Sequence, residues 1–233
     1  MHKGYEYLVL IAMIYIAIDL SSMVFAYKII EFGSIIGAAS SLIFPLTYSI
    51  MDVVAEVYGY QMAKKIIWYG FVCDFIFAIL VLLISHIPST NQVQTIAYIQ
   101  VLGSLLRAVV AQTIGVLSGA FINIYLISKW KIITNGRYFW LRSIGSSTIG
   151  EAVMLIISVF IALSGVIAFS KLLHLVVYTY IYKIIFAVIA APCISIVAII
   201  LKDKIEAGHY DHSSFNPFNT SSKQDFSANF QKS

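Results

Sequence analysis

Apolar runs of membrane-spanning length recur along this chain of 233 residues, at positions 7–26, 33–59, 66–85, 96–127, 139–163 and 172–201. A helix needs about 20 such residues to cross the hydrocarbon core of a bilayer. No water is available there for unpaired N–H and C=O groups, so each run must satisfy its own backbone as a helix. Only 11% of residues are charged and 60% are hydrophobic, whereas a soluble domain carries about a quarter charged residues. The expected fold class is therefore all-α, a polytopic membrane protein with six transmembrane helices.

The basic residues give the orientation. Lys3, then Lys64 and Lys65, then Lys129, Lys131, Arg137 and Arg142, then Lys202 and Lys204 fall on one side of the alternating connections, against Lys28 and Lys171 on the other. The positive-inside rule then places both termini in the cytoplasm. Residues 1–202 form the expected six-helix domain, with the first helix retained because no cleavage site follows it. Residues 203–233 read as a polar, disordered cytoplasmic tail.

Two of the runs are irregular. Pro45 lies inside the second, after the small-residue pattern GSIIG, and predicts either one kinked helix or two halves broken near 42–44. The fourth is overlong, which predicts tilt or a start in the interface.

Several function classes are excluded. The net charge of +4 is spread over helix ends rather than one soluble face, which argues against nucleic acid. All five histidines lie in loops or termini, and no zinc or nucleotide-binding motif is present, so neither an enzyme nor a metal site is expected.

Ionisable groups inside hydrocarbon cost roughly 2.5–3.5 kcal/mol each on insertion scales, so they are retained mainly where they face protein or a cavity. The candidates are Asp19, Asp52, Glu56, Asp74, Arg107, Glu151 and Lys183. Acids outnumber bases, which leaves acceptor capacity for a ligand rich in donors. Tyr48, Asp52 and Glu56 share one helical stripe; the lesser reading is that Asp52 and Glu56 are solvated at the cytoplasmic end beside Lys64 and Lys65, with Asp52 the deeper of the two. Arg107 is either an interfacial anchor, a partner for Asp19 or Asp74, or a fork for a substrate carbonyl. Gly115, Gly119 and Asn123 repeat every four residues, a close-packing pattern that ends in an amide able to donate and accept. Glu151 follows Ser146, Ser147 and Thr148 about three turns into its helix and is too short to snorkel. An interhelical hydrogen bond would account for Asp19 as well as a functional role would. Tyr58, Tyr60 and Trp68 suit either a stacked ligand or an interface belt.

The stretch FPLTYSIMDVVAEVYGY at 44–60, with KKIIWYGF at 64–71, resembles the signature of the queuosine precursor transporter family. LLRAVVAQ, SGAFIN, KWKIITNGRYFWLRSIGSSTIGE, FIALSG and YIYKIIFAVIAAPCI follow in the same order and spacing, so the likeness covers most of 33–202. The resemblance implies a multi-pass protein of the bacterial inner membrane, similar in fold to the substrate-binding subunits of energy-coupling-factor transporters. It implies import of 7-deazaguanines such as 7-cyano-7-deazaguanine, or of the modified base itself, for transfer RNA modification; the buried carboxylates separately suggest secondary transport coupled to protons or sodium. Ala120 and Met154 stand where the family pattern carries carboxylates.

A guanine-like edge presents an N–H and an amino group beside a carbonyl. On this basis Glu151 and Asp52 or Glu56 are expected to accept from the donors, with Arg107, Asn123 and Lys183 opposite and an aromatic ring, Tyr48 among the candidates, against the base. The alternatives are a binding subunit that needs a separate ATPase and a membrane assembly protein that transports nothing.

Overall fold

The computed structural model describes residues 3–25, 28–32, 35–87, 90, 93, 96–99, 105–163 and 169–205. Its helices are α1 (Lys3–Val24), α2 (Pro45–Val57), α3 (Tyr60–Ser85), α4 (Leu105–Ile133), α5 (Phe139–Leu163) and α6 (Phe169–Ile205). Together with the 3-10 turn before α2, they supply six apolar segments long enough to cross a membrane. The fold is almost entirely helical, as its hydropathy requires.

The connection before α2 departs from the expected helix starting at 33. Strands β1 (Ile29–Phe32) and β2 (Ile35–Ala38) pair antiparallel, with Ile29 opposite Ala38 and Phe32 opposite Ile35. A 3-10 turn, Ala39–Leu42, then leads to Pro45, which stands at the start of α2 rather than at a kink within a longer helix. The first helical position needs no N–H donor and suits the fixed φ of proline. The helix ends just as sharply: Gly59 has φ 85°, a left-handed conformation that glycine adopts without steric cost, and α3 begins directly after it. Lys64 and Lys65 accordingly lie in the first turns of α3 and not in a loop.

The turn between α4 and α5 is tight for a similar reason. Asn135 and Gly136 have φ 50° and 75°, and the Gly136 N–H reaches back to the Lys131 carbonyl at 2.8 Å, closing the C-terminus of α4. Helix α4 therefore runs six residues past its expected end and takes Lys129 and Lys131 with it, while α5 matches its expected bounds. The expected start of the fourth run lies partly outside the described residues. Helix α6 is longer than expected at both ends and contains Pro192 as well as His174, which was expected in a loop. The tail beyond Ile205 lies outside the described residues.

Burial separates α2 from the other helices. Every α2 residue except Leu46 and Ile50 is buried. Met51, Val54 and Ala55 pack with Tyr15 of α1, Tyr60, Ala63 and Ile67 of α3, and Ile124 and Ile127 of α4. Val53 and Val57 meet Ala198 and Leu201 of α6. A 13-residue helix rises only about 20 Å, so it is enclosed by longer helices whose outer faces remain apolar. Ile189, Ile196, Ile199 and Ile200 of α6 are exposed in this way, as side chains facing lipid should be.

The start of α1 and the end of α6 lie at the same end of the bundle. The Lys204 ammonium sits 5.6 Å from the centroid of the Tyr7 ring, and Tyr7 also borders the Val57–Leu201 cluster. An even number of crossings requires this.

Candidate functional site

Three helices each contribute a stripe of residues four apart: Tyr48, Asp52 and Glu56 from α2, Gly115, Gly119 and Asn123 from α4, and Ser143, Ser147 and Glu151 from α5. Residues at this spacing lie above one another on one helix face. The stripes meet because the backbones of α4 and α5 nearly touch. A methyl group on Gly150 would lie 2.7 Å from the Gly119 carbonyl and 2.9 Å from Asn123 Cβ, and one on Gly119 would collide with the Gly150 carbonyl and the Tyr48 hydroxyl.

Asp52 lies at the centre and is fully buried. Asn123 Nδ2 donates to its Oδ1 at 2.6 Å, and the hydroxyls of Ser147, at 3.0 Å, and Ser143 donate to its Oδ2. A carboxylate without water is tolerated when donors surround it in this way. Both Asp52 oxygens are therefore engaged within the protein, and its direct effect is to hold Asn123.

Around this anchor, polar atoms stand unmatched. The Tyr48 hydroxyl and Asn123 Oδ1 are buried with no hydrogen-bond partner. Unpaired buried groups of this kind cost about 1–3 kcal/mol each, and a ligand is one means of satisfying them. Glu151 and Lys183 are each only 3% exposed, and the Lys183 charge acts on Glu151 across the α5–α6 interface. Lys183 Nζ also lies 4.9 Å from the centroid of the Phe44 ring, a cation–π contact. Phe44 meets Tyr48 edge to face at 5.8 Å, and Met154 and Val116 close the apolar side.

Glu56, one turn beyond Asp52, belongs to a different set. Its carboxylate pairs with Arg142 Nη1 at 3.0 Å and with the Lys202 ammonium, while Lys131 Nζ donates to its backbone carbonyl at 2.7 Å. Arg142 also donates to the carbonyls of Ile127, Arg137 and Gly136 and so ties the α4–α5 turn to α2. The reading of Glu56 as a solvated group beside Lys64 and Lys65 is corrected here. It is 1% exposed, and its partners come from α5 and α6.

The structure thus brings together Tyr48, Asp52, Asn123, Glu151 and Lys183, and ties Glu56 into an ion-pair network at the basic end. The Arg107 side chain lies outside the described residues. Asp19 of α1 and Asp74 of α3 are buried and line one small crevice apart from this set. Tyr60 is a core residue, and Trp68 packs against Phe121 with ring centroids 5.7 Å apart, so these rings serve packing. Sequence reasoning missed Ser143, Arg142 and Lys131. The spacing of Ser143, Ser147 and Glu151 carried the signal for the first, whereas the two cations were counted only as orientation charges.

Comparison with known proteins places the chain. Residues 38–197 match the model of a family described as "Putative vitamin uptake transporter". A Bacillus subtilis (strain 168) protein named "Probable queuosine precursor transporter" is 23% identical over 168 residues, which cover 71% of this chain and 73% of the relative. No solved structure matches the chain. With six apolar spans and a family match over more than half its length, the chain belongs to the vitamin uptake transporter family and is a multi-pass membrane transporter, not an enzyme.

Proposed function

We propose that this protein imports 7-deazaguanine precursors of queuosine, such as 7-cyano-7-deazaguanine, across a bacterial inner membrane by a secondary mechanism driven by protons, with both termini in the cytoplasm. The supporting observation is the buried set of unmatched groups around Asp52. Glu151 offers acceptor oxygens, Asn123 Oδ1 is an acceptor with no partner, and the Tyr48 hydroxyl and Lys183 are donors beside them. A deazaguanine edge needs that complement: its ring N–H and amino group donate to Glu151 and Asn123, and its carbonyl accepts from Tyr48 or Lys183. Asp52 takes no part in direct contact and keeps Asn123 in orientation. The name of the Bacillus relative agrees with this substrate class.

Met154 packs beside Tyr48, and Ala120 lies buried one residue after Gly119. Where the family pattern carries carboxylates, Met154 makes the wall of the site apolar and Ala120 packs in the main core, so Glu151 carries the acceptor role at that level.

The test is reconstitution of the purified chain alone in liposomes with labelled 7-cyano-7-deazaguanine. Uptake driven by an imposed proton gradient, reduced at least about tenfold by Glu151→Gln, is expected, since a hydrogen bond to a charged group is worth about 1.5–3 kcal/mol. Binding without transport would instead make the chain the binding subunit of a transporter powered by a separate ATPase. Uptake of normal rate by Glu151→Gln removes that residue from the site.

A further inference from the structure

Asp19 of α1 and Asp74 of α3 are 2% and 7% exposed, and their side chains line the same small crevice. Two negative charges facing one crevice inside hydrocarbon strongly oppose each other, which favours a proton on one of the two carboxyls. The second oxygen of Asp74, Oδ1, is buried with no hydrogen-bond partner. Both side chains line a crevice walled by Tyr15, Phe71, Gln112 and Thr113, with room for about one water molecule. A purine-sized ligand does not fit there.

The pair is separate from the Glu151 cluster yet connected to it. Asp74 lies about 21 Å along α3 from Tyr60 and Glu151 about 18 Å along α5 from Phe139, so the two sites stand at similar depths on different helices. Val116 joins them, lining the crevice and packing against the Phe44–Tyr48–Met154 cluster, and the unpartnered Tyr48 hydroxyl feels the charges of Glu151, Asp19 and Asp52. Among the described residues the titratable groups facing the pair are Tyr15 and Tyr48.

We propose that Asp19 and Asp74 form a proton-binding site that couples transport to the proton gradient. In one state the pair holds a single shared proton, and in the other it releases that proton to one aqueous phase and carries two negative charges, with water reaching Asp74 Oδ1. Tyr48 passes the change in charge to the substrate groups. The proposal rests on the reading of the chain as a secondary transporter, but the proton site itself can be observed without transport.

Infrared spectroscopy of the purified protein should show the carbonyl stretch of a protonated carboxyl that titrates with pH and shifts when aspartate is labelled with carbon-13. Asp19→Asn and Asp74→Asn should each abolish it. A band that fails to shift on labelling of the unsubstituted chain, or that survives in either variant, overturns the proposal. In proteoliposomes the same variants should lose uphill accumulation of 7-cyano-7-deazaguanine under a proton gradient while still exchanging it across the membrane. Accumulation driven equally well in the variants, or driven by sodium alone in the unsubstituted chain, also overturns it. If the unsubstituted chain shows the band but moves no 7-deazaguanine, the transport reading fails and the proton site stands.

Discussion

Asn123 gives its side-chain amide to Asp52 at 2.6 Å and keeps its own carbonyl oxygen buried without a partner. One residue is thus held by a carboxylate on one side and left unsatisfied on the other. This fixes which atom of the amide points away from Asp52 and leaves a buried acceptor able to take a donor.

Asn123→Ala should therefore weaken substrate more than it weakens the fold. It removes one of three donors to Asp52 and the free acceptor together. A loss of about 1–3 kcal/mol in binding is expected, or about fivefold to a hundredfold in Kd. Calorimetric titration of the purified variant with 7-cyano-7-deazaguanine measures it, and unchanged affinity would exclude Asn123 from contact.

Ser143→Ala and Ser147→Ala each remove one donor to the second oxygen of Asp52. Each alone should cost about 1 kcal/mol of stability, and the double variant should exceed the sum because the carboxylate is then left half-satisfied in a dry site. Thermal denaturation in detergent across the four proteins of the cycle tests this, and simple additivity would show that water replaces the hydroxyls.

The ion pairs at the basic end should differ in weight. Arg142 is 2% exposed in its pair with Glu56, so Arg142→Met should destabilise by about 3–5 kcal/mol, the cost of stranding a buried charge. Lys202 is 33% exposed, and water compensates for its loss, so Lys202→Met should cost about 1 kcal/mol or less. Equal melting temperatures for the two variants would contradict this ranking.

Gly119→Ala should disrupt the α4–α5 contact, since its methyl would overlap backbone as well as the Tyr48 hydroxyl. A loss of about 1–3 kcal/mol is expected from overpacking. Gly70→Ala meets only the edge of the Tyr15 ring at 3.0 Å, where a side chain can yield, and should be milder. Comparing the melting temperatures of both variants checks the contrast.

Much of the membrane architecture was legible because hydropathy acts locally. The run at 139–163 coincides with α5, and each of the six apolar runs corresponds to a span. The hairpin at Ile29–Ala38 was not legible, since its residues are as apolar as the helix expected there and only chain pairing distinguishes the two. Pro45 announced an interruption, but whether it kinked a helix or began one depended on the 3-10 turn before it.

Spacing along a helix also identified stripes without identifying what faces them. Tyr48, Asp52 and Glu56 share a face in any α-helix, yet Asp52 is engaged by Asn123, Ser143 and Ser147 while Glu56 is engaged by Arg142 and Lys202.

From the chain alone came the six spans, the excess of buried carboxylates and the end at which the cations collect, because each follows from transfer between water and hydrocarbon one residue at a time. Only the tertiary structure decided that Asp52 is satisfied by amide and hydroxyl donors, that Glu56 is paired with cations and that Glu151 lies buried near Lys183. Those fates depend on neighbours up to 146 positions away, as for Lys202 and Glu56, and a hydrogen bond forms only where packed helices bring donor and acceptor within about 3 Å.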